Sequence, residues 1–217
     1  PGVLERHGCS VHQDLPGVRY HGAGQRLDQA RLSGTVVADD GEDLALVHTL
    51  ESIAKISGLG AGEIDPDTFT SAGSFEAASY AAGAVMAAVE RCRDNGMRRV
   101  FCAVRPPGHH AEADQAMGFC LFNNVAVGAR HAQRIGYKKV FIIDFDAHHG
   151  NGTQHIFEED DTVFYFSTHQ HPWYPGTGMR VETGLGAGKG STLNAPLPAG
   201  SGIETIEAAF AEEAADR

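Results

Sequence analysis

The chain has 217 residues, 42% of them hydrophobic, enough for one large core, and its 17 Lys+Arg against 28 Asp+Glu leave a formal charge of −11. That balance argues against nucleic acid or an anionic membrane surface as a partner, and gives at most a slight preference for cationic substrates. The longest small-apolar stretch, Ala77 to Val89, is too short to span a bilayer, and no leader is legible.

Residues 1 to 41 are polar and rich in His and Gly, with turns expected at Gly22-Ala-Gly24 and Asp39-Asp-Gly41. From Glu42 to Ile56, the spacing of Leu44, Val47, His48, Ile53 and Ile56 predicts a short amphipathic helix. Gly58 to Thr70 reads as a loop turning at Asp65-Pro66-Asp67. Ser74 suits an N-cap for a helix from Phe75 to about Arg93, with Ala77, Ala81, Ala84 and Ala88 as its packing face and Asn95-Gly96 as its stop. Val100 to Val104 reads as a buried strand, followed by the loop Arg105-Pro-Pro-Gly-His-His110. A helix from about Asn123 to Ile135, the strand beginning at Val140, a helix over Thr153 to Glu158 and a strand over Thr162 to Ser167 complete a strand–helix–strand order. That order predicts an α/β fold with a mostly parallel sheet, which binds ligands beyond the carboxyl ends of its strands. Both His-rich stretches are expected there.

The most informative stretch runs Val140-Phe-Ile-Ile-Asp144-Phe-Asp146-Ala-His148-His149-Gly150-Asn151-Gly152. An apolar run that breaks into two carboxylates and two histidines delivers charge to the end of a buried strand. Alternation would put Asp144, Asp146 and His148 on one side if the backbone stays extended. Carboxylates taken out of water need cations or donors, and imidazole with carboxylate suits zinc. A lone Asp-x-His would read as a capped turn; the full D-x-D-x-H-H-G-x-G pattern points to a metal. His109 and His110 beside such a site add one group to take a proton from water and one to donate to a leaving group, the needs of metal-assisted hydrolysis.

The motifs R-P-P-G-H-H-A, M-G-F-C-L-F-N-N, D-F-D-A-H-H-G-N-G-T-Q and H-Q-H-P-W-Y-P-G-T-G together resemble the zinc-dependent histone deacetylase family, nearest to its class II-like bacterial members. The resemblance covers most of residues 42–217 and implies the three-layer arginase–deacetylase fold. By motif position, Asp146 and His148 resemble two of three zinc ligands, His110 the general base and acid, His109 its electrostatic partner, and Asp144 the carboxylate orienting His109. Phe119 and Tyr174 match the aromatic walls of the substrate channel and Gly118 a backbone acceptor beside them. The family's structural monovalent cations, K+ or Na+, would use the Asp144 carboxylate with carbonyls of Asp144, Asp146, His148, Ser167 and Thr168. A second such site would use carbonyls near Phe157, Asp160 and Val163. The implied activity is hydrolysis of acetylated lysine side chains in peptides or proteins, with small acetylated amines as the alternative.

Four features bound that expectation. The family's third ligand, a later Asp, and its Gly-Gly-Tyr hydroxyl fall outside these residues, so the chain is expected to be an incomplete domain with little activity alone. Pro1 opens it without Met, and it closes inside the helical pattern of Ile203 to Arg217. His21-Gly-Ala-Gly-Gln-Arg-Leu-Asp28 replaces the family's entrance segment, and Asn151 stands where some members carry Asp. An arginase-like binuclear manganese site is disfavoured because Gly150 occupies the position its extra carboxylate needs, whereas a catalytically silent acetyl-lysine binder stays open. Gly184-Leu-Gly-Ala-Gly-Lys-Gly-Ser191 fails both P-loop and G-x-G-x-x-G spacing and is expected to be a flexible loop. His169 and His171 read as polar residues of a pocket rim. Cys9, Cys92, Cys102 and Cys120 show no metal-like spacing, so buried free thiols in the cytosol are expected, with homo-oligomerisation left open.

Overall fold

The computed structural model describes residues 42–94 and 96–214. The turns expected near Gly22 and Asp39, the His21–Asp28 stretch and Cys9 lie outside the described residues.

The helix expected over 42–56 is split. Leu44–Leu46 form one 3-10 turn, and α1 runs only from Leu50 to Ser57. Thr49 causes the break: its extended backbone (φ −67°, ψ 147°) lets its hydroxyl accept from Ser52 N–H and start a new helix. The expected loop over 58–70 holds a hairpin, β1 (Gly62–Asp65) pairing antiparallel with β2 (Thr68–Thr70), and its turn does fall at Asp65–Asp67. The long helix α2 (Ser74–Asp94) has Ser74 inside it, the hydroxyl accepting from Ser71 N–H. Its buried face is Ala78, Ala82 and Met86, with Ala81 alongside, so the packing stripe is rotated from the expected one and Ala77 is exposed.

Val100–Val104 forms no strand among the described residues; Val100 and Phe101 are exposed. Apolar β-formers supply propensity but no ladder partner. Helix α3 (Asn124–Arg134) is capped by Asn123, whose side chain accepts from Ala126 N–H, and stops where Gly136 takes φ 115°. It packs against α2 closely enough that a methyl at Gly128 would strike Val85.

The sheet is parallel, ordered β3 (Val140–Asp144), β4 (Val163–Gln170), β5 (Thr192–Leu197), with α4 (Asn151–Phe157) crossing between β3 and β4. Strand β5 contains Pro196, which masked it in the sequence and is tolerated at a sheet edge. The Gly184–Ser191 loop that precedes it is built rather than loose: Leu185 N–H bonds Glu158 C=O, and Gly190 N–H bonds Thr183 C=O. Helix α5 (Ile203–Ala214) packs Ala209 and Phe210 with Phe166, Leu193 and Ala195 of the sheet. The other core cluster joins α1, α2, α3 and the inner face of β3 and β4 through Ile53, Met86, Phe122, Val127, Ile142, Val163 and Tyr165. No described helix is long and apolar enough to cross a membrane.

Candidate active site

Beyond Asp144 the chain turns instead of staying extended. Asp146 N–H bonds Asp144 Oδ1 at 3.1 Å, and His148 N–H bonds Asp146 Oδ1 at 2.8 Å. Two successive side chain-to-backbone turns thus stand where an extended strand was expected. The ladder pairs Asp144 with Ser167, so the site rests on the carboxyl end of β3, beside the second half of β4.

His109 and His110 come from the loop after Arg105 rather than from a strand end, and their rings lie 4.1 Å apart between centroids. Each takes a different partner. His109 Nδ1 bonds Asp144 Oδ2 at 2.9 Å, and that carboxylate oxygen also accepts from the Tyr165 hydroxyl at 3.0 Å. Burial disfavours charge on His109, but the bond to Asp144 and its field outweigh this and raise the His109 pKa. Asp144 answers in kind: burial pushes its pKa up, His109 pulls it down further, and the net shift is downward. His110 Nδ1 bonds the neutral amide oxygen of Asn151 at 2.8 Å. Burial, then the neighbouring His109, push the His110 pKa down to about 4, so this ring is neutral near pH 7.

Glycines make this crowding feasible. A methyl at Gly150 would run into the Asp144 carboxylate and the Tyr165 hydroxyl, and one at Gly118 into the His110 ring. Gly118 also needs its left-handed φ of 58°. Phe119 follows it at φ 66°, an uncommon backbone for an aromatic, with its N–H anchored on Thr68 Oγ1 of the hairpin at 3.0 Å. Tyr174 stands edge-on to both His110 (5.0 Å) and His148 (6.0 Å), whereas Phe119 is largely exposed.

Asp146 and His148 meet: Oδ1 and Nδ1 are 3.1 Å apart, and His109 Nε2 is 4.0 Å from the same oxygen. Two ligands of a tetrahedral zinc, each about 2.0–2.1 Å from the ion, stand roughly 3.3 Å apart. The pair therefore fits part of a zinc site, although no group of three metal-capable side chains gathers among the described residues. For the expected monovalent-cation positions, Ser167 and Thr168 are buried in β4 beside the end of β3. The Phe157 carbonyl accepts from Asp160 N–H, and Val163 lies in the β3–β4 ladder.

His169 is not at a rim. It is buried, bonded to Ser167 Oγ and to the Gly178 carbonyl, with its ring tilted against that of His149 at 4.7 Å between centroids. Cys120 is buried, while Cys92 and Cys102 are only partly so, and all three are free. Tyr165 and Thr68 belong to no chemistry-bearing pattern in the sequence; Trp173 sits inside the H-Q-H-P-W-Y-P-G-T-G motif and Glu112 two residues beyond His110, but neither is given a role there.

Comparison with known proteins sharpens this picture. The model of the histone deacetylase domain matches residues 23–216. Histone deacetylase 14, chloroplastic, of Arabidopsis thaliana is 45% identical over 199 residues, covering 87% of this chain and 47% of that protein. A probable deacetylase of Archaeoglobus fulgidus is 43% identical over 165 residues, covering 75% of this chain and 46% of its own length. The crystal structure of the HDA15 HD domain superposes with a TM-score of 0.78 at 40% identity, covering 81% of this chain and 53% of that one. The chain spans about half the length of the curated relatives it matches.

Proposed function

This chain belongs to the histone deacetylase domain family, and from that premise we propose that it supplies the histidine pair and two zinc ligands of an enzyme hydrolysing the acetyl amide of acetylated lysine side chains. The observation that carries the reading is the unequal pairing of adjacent imidazoles, His109 on a carboxylate and His110 on an amide, beside Asp146 and His148. Unequal partners suit unequal roles. His110, held at Nδ1 and kept neutral, has Nε2 left to take a proton from water and then give it to the leaving amine. His109, biased toward its charged form by Asp144, stabilises negative charge developing on the acyl oxygen.

Asp146 and His148 would hold part of a zinc site, and the ion would supply Lewis acidity at that carbonyl. Tyr174 and Phe119 flank the approach and strip water from an alkyl stem, with the Gly118 backbone beside them. A structural K+ or Na+ at the Asp144–Ser167 junction belongs to the same reading, supported by the ladder pairing of those two residues. The third carboxylate ligand and the hydroxyl donor come from outside these residues, so the chain by itself should turn over slowly. Loss of one oxyanion donor alone raises a barrier by ~3 kcal/mol.

The test pairs two measurements on a full-length form of the protein: deacetylation of an acetyl-lysine peptide, and affinity for a substrate-like hydroxamate. His110→Ala should lower turnover by ~10²–10⁴-fold while the hydroxamate still binds, and His109→Ala should lower it less. Small, equal losses in both variants overturn the assignment. Absence of turnover in the parent, with affinity altered in both variants, identifies a binding module instead.

A further inference from the structure

The amide of Asn151 does not end the chain of contacts behind His110. Its Nδ2 donates to Glu112 Oε1 at 2.5 Å and, more weakly, toward the His110 carbonyl (3.4 Å) and Met117 Sδ (3.5 Å). The same Glu112 oxygen lies 2.9 Å from His155 Nδ1 on α4. Glu112 is mostly sheltered, with 17% of its side chain exposed, while 41% of His155 reaches solvent. A line of four side chains therefore runs from the surface to the ring read as the general base: His155, Glu112, Asn151, His110.

We propose that Glu112 is a positioning residue that fixes the tautomer of His110 by fixing which way the Asn151 amide faces.

The argument rests on what each group can donate. An ionised carboxylate only accepts, so the Asn151 edge facing Glu112 must be the NH2. The opposite edge, facing His110 Nδ1 at 2.8 Å, is then the carbonyl oxygen, which only accepts. A neutral ring meeting an acceptor at Nδ1 must carry its proton there, and its Nε2 is left with a free lone pair. Turning the amide over would bring two oxygens together across the 2.5 Å contact and forfeit a charge-assisted bond, roughly twice as strong as a neutral one. It would also present NH2 to Nδ1 and move the ring proton to Nε2, disabling that nitrogen as an acceptor. An Asp at position 151 would impose the same tautomer directly; here Glu112 does so at one remove. His155 steadies the carboxylate from outside, and the bond between them is the largest cause of the raised His155 pKa.

This inference rests on the role proposed for His110, but its primary test does not require turnover. Long-range ¹⁵N–¹H spectra of the histidine rings, recorded on the 217-residue chain, report which nitrogen of His110 carries the proton. The parent should show Nδ1–H alone, together with a strongly downfield Asn151 amide proton facing Glu112. Glu112→Gln, whose own amide satisfies either orientation of Asn151, should give a mixture of ring tautomers. Glu112→Gln with Asn151→Asp should restore Nδ1–H, because the new carboxylate accepts from both neighbours. In a full-length form, kcat should fall roughly 10- to 100-fold in the single variant with KM little changed, and recover in the double variant. An Nε2–H ring in the parent, an ordinary Asn151 amide shift, or an unaltered tautomer in Glu112→Gln overturns the inference; the first two need no substitution to fold. A tautomer that responds while full-length turnover does not upholds the orienting chain and overturns the general-base role of His110.

Discussion

The indole N–H of Trp173 donates to Nε2 of His148 across 3.0 Å, on the ring edge opposite the one that meets Asp146. With Nε2 accepting, the His148 proton sits on Nδ1 and points at the Asp146 carboxylate. A metal shared by Asp146 and His148 Nδ1 needs that lone pair, which sends the proton to Nε2 and dismisses the indole. Trp173 is the only tryptophan in the sequence, so zinc added to the chain should change its fluorescence. Trp173→Phe, with no donor to displace, should bind zinc tighter by ~1 kcal/mol, about fivefold in a chelator competition. Equal affinities in the two proteins would show that the indole does not compete.

Removing the imidazole itself is the cruder test. His148→Ala in a full-length form should lose stoichiometric zinc, since one fewer nitrogen ligand leaves carboxylates to hold a borderline cation. Metal analysis showing undiminished zinc would displace His148 from the ligand set.

His48 gives the chain a pH dependence unrelated to the site. It is buried, its Nδ1 on the Glu112 carbonyl and its Nε2 accepting from Asn123 N–H. Burial lowers its pKa from 6.5 to about 4. A lowered folded-state pKa means the unfolded chain binds the proton first as pH falls. Stability is therefore fully present above 6.5 and is lost on the way down to about 4, by on the order of 3 kcal/mol from this group. His149, also lowered to about 4 by burial and by His169, acts in the same direction. Urea unfolding across that window should show the loss, and His48→Gln, which keeps a donor and an acceptor without titrating, should flatten it. Identical pH profiles would remove His48 from the account.

Gly150→Ala should disturb the Asp144–His109 pair, because the added methyl meets the carboxylate, the Tyr165 hydroxyl at 2.7 Å and His109 Nδ1 at 3.0 Å. Overpacking of this kind costs about 1–3 kcal/mol. The more telling readout is His109: once Asp144 is displaced, its raised pKa should drop in an NMR titration. A pKa that stays put would mean that the pair moves together.

Thr68→Val tests the hairpin as a buttress. The variant keeps the shape but leaves the Phe119 N–H without its acceptor, which should cost about 1–3 kcal/mol in urea unfolding. A change within a few tenths of a kcal/mol would show that water or another group replaces the hydroxyl.

Local grammar made much of this legible. The helix from about Asn123 to Ile135, the Asp65–Asp67 turn and the β3–α4–β4 crossover each announce themselves within a few residues. Asp146 and His148 meet by a route the sequence did not show: alternation along an extended strand was expected, and the chain beyond Asp144 makes side chain-to-backbone turns instead. Val100–Val104 and β5 went wrong for one shared reason. Whether a segment becomes a strand depends on a neighbour to pair with, and neither an apolar run nor a proline reports on that neighbour. The roles of Glu112 and Trp173 were not legible, although His110 and a motif mark their positions, because those roles lie in what they touch 39 and 25 residues away in sequence.

Asn123 ties more of the molecule together than any residue with chemistry to perform. Its oxygen caps α3, its NH2 reaches the Ala111 carbonyl at 3.2 Å and Thr153 Oγ1 at 3.1 Å, and its backbone N–H meets His48. One planar amide thus joins the histidine loop, two helices and a buried ring, using an acceptor and a donor on opposite edges at one fixed reach. Asp lacks the donor, Gln overshoots the cap, and Ser is too short to span the gap. In a library randomised at this codon and selected only for folding, Asn should return almost alone, while its exposed neighbours in the same loops drift. The position least open to change is then one that never meets a substrate, and an engineer reshaping the pocket should treat residue 123 as part of the chassis.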